Sequence, residues 1–192
     1  MNKQTHTSLE IANVFIALAE RDGRTLSIMQ LLKLVYIAHG FSLAILNKPL
    51  IEDRIEAWKH GPVIPKIYNF FRGVFRNHSI DVAFYAAGQD GKVLMPDLTV
   101  EESNLISQVY LKYGSLSAFR LSDLTHQPGG PWEQASKRGY YEKMTDAEIN
   151  QAPDGHQNVL ETKVALNVTL RGRSEFSQPQ RDRVQARPSA PS

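Results

Sequence analysis

The feature that most constrains this chain is an apolar run from Leu34 to Leu46, 13 residues carrying no charge and interrupted by little more than His39 and Ser42. It is too short to cross a bilayer, which takes about 20 apolar residues, and so reads as a buried helix. The helical pattern starts earlier, after Thr25 or Ser27, and runs to about Leu46. Leu31, Leu34, Val35, Ala38 and Ile45 form one stripe, while Leu32, Tyr36, His39 and Leu43 fill much of the opposite side. A helix apolar nearly all round needs neighbours on every side, which places it in the middle of a bundle. Gly40 inside it costs about 1 kcal/mol relative to Ala, so close approach of another element is the expected compensation.

The neighbours can be read from their start signals. Thr7 and Glu10 have the spacing of a capping box, followed by Ile11, Val14, Phe15 and Leu18 on one face. That helix should stop near Asp22-Gly23. After a turn at Asn47-Lys48-Pro49, Ile51 to Trp58 alternates weakly and suggests a short strand. Gly61 and Ile64 each precede a proline and should be extended, and Pro65 suits the first position of a helix turning Ile67, Phe70, Phe71 and Val74 inward. Val82 to Tyr85 and Lys92 to Met95 flank Asp90-Gly91 as a candidate hairpin. Thr99 and Glu102 form a second capping box. Leu116 and Leu121 bracket Ser117 like a hydrophobic staple, Trp132 to Ala135 restarts helical character, and Thr145 to Glu148 marks a last short helix.

Charge and composition remove several functions. The chain has 22 Lys+Arg and 20 Asp+Glu, and the excess lies wholly beyond Gln151, so residues 1–151 balance at zero. Such a body lacks the uncompensated cations of a broad phosphate-binding face, and nucleic acid is not the expected partner. The Arg-bearing segment at the C-terminus leaves a nucleic-acid-binding regulator as the alternative reading. There are no cysteines, which excludes disulfides, thiolate metal sites and cysteine nucleophiles. The first residues lack a signal-peptide layout, no membrane association is expected, and cytoplasmic localisation is the expectation. The chain divides into a helical domain, residues 1–151, and an extension, 152–192. The extension has a candidate strand at 164–170 and an Arg/Pro-rich end expected to be disordered.

The six histidines are scattered, no metal-ligand spacing occurs, and no nucleophile or phosphate-loop motif is present. Catalytic residues, metal and cofactor are all expected to be absent. Ser115 or Ser117 with His126 can be drawn as nucleophile and base, though proximity in sequence is the whole of that argument. His39 reads as a core histidine with its hydrogen bonds satisfied. Two unusual clusters remain: Trp58 to Pro65 with Tyr68, and Leu124-Thr125-His126 followed by Pro131-Trp132. Bracing of the bundle and shaping of a groove for a protein partner are both open at this level.

These clusters carry a resemblance. Gln30 to Gly40, then Ile55 to Pro65 with Tyr68, and downstream Leu121-Ser122, Leu124-Thr125-His126 and Pro131-Trp132, together resemble the Panacea domain family over about residues 8–150. That family takes in SocA-like antitoxins and phage-associated GepA-like proteins. The resemblance implies a mainly α, compact, bundle-like domain with a short strand or hairpin element. It also implies an antitoxin that neutralises a cognate protein toxin by direct binding, not an enzyme, with delivery of the toxin to a ClpXP-type protease as a further expectation. Homo-oligomerisation is left open. The motif positions it singles out are Trp58, Gly61, Pro62, Pro65, Tyr68, His126 and Trp132, as candidates for maintaining the domain or forming its recognition surface.

Overall fold

The computed structural model describes residues 5–74, 81–82 and 84–150. The proposed division at 151, the candidate strand at 164–170 and the expected disorder beyond it lie outside these residues. Within them the chain is mainly α, with seven α-helices and two small sheets.

Helix α1 (Ser8–Arg21) begins at Thr7, whose hydroxyl accepts from the Glu10 N–H while Glu10 accepts from the Thr7 N–H. A two-residue strand β1 (Leu26–Ser27) leads into α2 (Ile28–Phe41), capped in the same reciprocal way by Ser27 and Gln30. The helix then widens into a π-helical turn, Ser42–Leu46, and ends at Asn47 with φ 54°. The continuous helix from Ile28 to Leu46 is therefore 19 residues, longer than its uncharged run and long and apolar enough to cross a membrane by length and composition alone. Its surroundings identify it instead. It packs against α1, α3 (Pro65–Val74), α4 (Val100–Tyr113), α5 (Ala118–Thr125) and α7 (Asp146–Asn150). Leu31, Leu32, Leu34, Val35, Tyr36, Ala38, His39 and Leu43 are all buried. Most of the helix is buried inside the domain.

Gly40 faces Ile149 of α7, but a Cβ there would stand 3.5 Å from it, an ordinary contact. The expected close approach at this glycine is thus absent. Asn13, the polar interruption of α1, is fully buried and has a specific task. Its Nδ2 donates to the carbonyls of Ala86 and Leu94, and its Oδ1 accepts from the Ala86 N–H, pinning an irregular segment to the helix.

That segment corrects the hairpin expectation. Ala87 and Val93 form a single antiparallel bridge around the turn at Gly91, whereas Val82 belongs to β4 (Asp81–Val82) and pairs with Leu26 of β1. The side chain amide of Asn13 satisfies backbone groups that a ladder would otherwise pair, so a longer hairpin is not needed. The second sheet has order β3-β2-β5, all antiparallel, from β2 (Ile55–Trp58), β3 (Gly61–Val63) and β5 (Glu142–Met144). Between β3 and β5 the chain makes α3, α4, α5 and α6 (Pro131–Arg138). Closing the sheet thus joins the two sequence clusters.

Candidate functional site

The site is built around the β2–β3 hairpin. Trp58 pairs with Gly61 across the turn residues Lys59 and His60. Gly61 was expected to be extended because it precedes Pro62. It does lie in a strand, but with φ +100°, a conformation that side-chain-bearing residues rarely adopt. The two turn residues keep negative φ, so Gly61 carries the compensating twist, as in hairpins where a type I turn is followed by glycine. Space requires glycine too. A Cβ at Gly61 would stand 2.2 Å from Lys33 Nζ and 2.8 Å from His126 Cε1.

Lys33 comes from the middle of α2 and is fully buried. Its Nζ donates to the carbonyl oxygens of His60, at 3.0 Å, and Pro62, at 3.2 Å. The Pro62 carbonyl belongs to β3, the outer strand of its sheet, and the His60 carbonyl to the turn that leads into it. Pro62 has no N–H to offer there. The lysine therefore takes the place of a further strand and closes an otherwise open sheet edge. Burial pushes its pKa down to about 7. The two carbonyls supply acceptors to a group that burial would otherwise leave without water.

Helices α5 and α6 also hold the turn. The Ser122 hydroxyl donates to the His60 carbonyl at 3.2 Å, and the Trp132 indole donates to the Trp58 carbonyl at 2.8 Å. The His126 and Trp132 rings meet edge-on with centroids 4.0 Å apart. His126 Nδ1 lies against the Ser122 carbonyl, so that nitrogen carries a proton and donates it. It cannot serve as base to the Ser122 hydroxyl, 3.4 Å away. Ser117, one of the two serines drawn as nucleophile from sequence, caps α5 by accepting from the Arg120 N–H.

On the outer face, Trp58 packs edge-on against Tyr68 of α3 and against Tyr141, with centroids 4.9 and 5.3 Å apart. The Trp58 indole donates to Glu56 at 2.8 Å, and Glu56 also pairs with Arg54 at 3.0 Å.

The structure therefore brings Trp58, Gly61, Pro62, His126 and Trp132 into one assembly. Tyr68 joins on the outer side of Trp58, and Pro65 acts at a distance as the first residue of the helix that carries Tyr68. Sequence reasoning did not single out Lys33, Ser122 and Tyr141 as site residues. Lys33 had a signal: it is the one charge inside an otherwise apolar helical circumference. Tyr141 had none, because its place on Trp58 depends on the β2–β5 pairing. His39 is the satisfied core residue expected: Nδ1 accepts from the Ile51 N–H and Nε2 donates to Asp146. Burial lowers its pKa against the pull of that carboxylate. Among the described residues no cluster of three or more His, Asp or Glu could hold a metal ion.

Fold and site together define a small helical domain that holds one β-hairpin in a fixed shape. Comparison with known proteins agrees. A family model described as Antitoxin SocA-like, Panacea domain, matches residues 31–133, more than half the chain and the span from α2 to α6. The chain belongs to that family. It is also 32% identical over 125 residues to Antitoxin SocA of Caulobacter vibrioides (strain NA1000 / CB15N), a match covering 64% of this chain and 66% of that protein, just under two thirds of its length. No solved structure matches.

Proposed function

We propose that this chain is a non-enzymatic, cytoplasmic antitoxin that neutralises a co-encoded protein toxin by binding it directly. The observation that carries this reading is the match of the antitoxin family model to the whole region that builds the hairpin and its clamps. The site's chemistry supports it. The indole of Trp132, the hydroxyl of Ser122, Nδ1 of His126 and the amine of Lys33 are all committed to backbone carbonyls. Groups held in this way fix a shape, and fixed aromatic shape is what protein recognition uses. Delivery of the bound toxin to a ClpXP-type protease is a further step of the same proposal.

The test is genetic and biochemical. The product of the neighbouring gene should arrest growth when expressed alone, be tolerated with this chain, and co-purify with it. A purified chain that turns over a small-molecule substrate, with no protein companion recovered from cells, overturns the reading. The protease step is judged separately: the toxin's half-life should lengthen in protease-deficient cells only when this chain is present.

A further inference from the structure

The assembled hairpin leaves one feature that bracing does not use. Tyr141 is 61% exposed, yet it holds φ +68°, a left-handed conformation that bulky residues avoid. Its backbone is tied down by its N–H donating to the Ala57 carbonyl and by Arg54 donating to its own carbonyl. A glycine would satisfy those bonds without strain. The ring adds little to the core from this position, and strain kept at an exposed aromatic points to use at the surface.

The charges beside it have a sign. Trp58 and Glu56 lie two apart on β2 and share a face, and Lys143 of β5 stands opposite Glu56 on that same face. Glu142, opposite Ala57, leaves from the other face. The Arg72 guanidinium lies 5.4 Å over the Tyr68 ring. Glu56 is already held by Arg54 and the Trp58 indole, whereas Arg72 and Lys143 make no ion pair among the described residues. The aromatic row is thus rimmed by unmatched positive charge on a body that is neutral as a whole.

We propose that the face formed by Tyr68, Trp58 and Tyr141, with Arg72 and Lys143 at its rim, seats an acidic segment of the protein partner. This rests on the antitoxin reading and adds the surface and the chemistry of what it binds. Three other occupants fit less well. This chain's own residues 152–192 carry six basic and four acidic residues, the wrong sign for the rim. A second copy meeting this face across a two-fold axis sets the same cations against each other. A nucleic acid would meet the Glu56 carboxylate, and the two tyrosines stand at 68° and 73° to Trp58, so the rings offer no parallel ledge for bases.

The experiment uses the full chain and fluorescence anisotropy. The probes are labelled peptides of equal apolar content but acidic, neutral or basic charge, and a single-stranded oligonucleotide. The acidic peptide should bind best, and more weakly as salt rises. Tyr141→Gly, which suits the backbone there, and the exposed double variant Arg72→Glu/Lys143→Glu should each weaken it by about tenfold. Lys92→Glu, remote from this face, should leave it unchanged, and the melting temperature of each variant checks folding. Equal affinity for all three peptides, no binding of any, tighter binding of the oligonucleotide, or indifference to the two face variants overturns the proposal. Growth rescue runs in parallel. If the unaltered chain fails to rescue, the antitoxin reading falls on its own account. If it rescues and both face variants rescue equally, the face is excluded while the antitoxin reading stands.

Discussion

At Gly61, two constraints meet in one residue, a positive φ and a neighbour where a Cβ would sit. Gly61→Ala should therefore destabilise the domain by more than the ~1 kcal/mol of an ordinary glycine substitution, on the order of 3 kcal/mol. Thermal denaturation measures this directly, and a loss within ~0.5 kcal/mol would mean that the hairpin moves freely away from α2. Lys33 gives a prediction with a sign. Its folded pKa of about 7 lies below the ~10.4 of an unfolded lysine, so between these values the unfolded chain binds more protons. Stability should accordingly rise as pH goes from 7 toward 10, by at most ~1.4 kcal/mol per pH unit from this residue. Lys33→Met should remove that pH-dependent increment and lower stability by about 2 kcal/mol at pH 7, since the Pro62 carbonyl is left without its donor. Urea denaturation of both proteins at pH 7 and 9 checks both effects.

Among the elements, local chemistry was the legible part. The starts at Thr7, Ser117, Pro65 and Thr99 could be read because a cap needs only residues three or four apart, and each is found in place. The all-round apolar pattern of α2 likewise announced a central position. What could not be read was the tertiary use of a capping residue. Glu102 caps α4 at the Thr99 N–H, and its buried carboxylate also meets Lys48 at 2.7 Å and His6 at 3.3 Å. Burial alone would raise its pKa; Lys48, the Thr99 N–H and His6 together pull it below the usual carboxylate range. Glu102→Ala should therefore cost about 3 kcal/mol, well beyond the ~1 kcal/mol of a lost cap, because it strands the Lys48 and His6 groups. Comparing it with Thr99→Ala by chemical denaturation separates the two contributions.

For the molecule as a whole, the hairpin and the helices share one core. Ile55, Ala57 and Val63 of the sheet are buried with Leu31 and Leu34 of α2 and Leu121 of α5. Both tryptophans sit at the hairpin, so their fluorescence follows the site while far-ultraviolet circular dichroism follows the helices. The two probes should give coincident unfolding curves with one midpoint. An earlier fluorescence transition would show that the hairpin opens as a separate unit.

Sequence by itself determined where helices begin, which helix is central and which two clusters matter, since these follow from caps, periodicity and residue type within one stretch of chain. Tertiary structure alone decided that the clusters meet, that a buried lysine closes the edge of β3, that Gly61 takes a positive φ, and that Tyr141 lies on Trp58. Each of those depends on pairing β2 with β5 or packing α2 beneath the turn. Contacts between residues tens of positions apart leave no periodic trace along the chain.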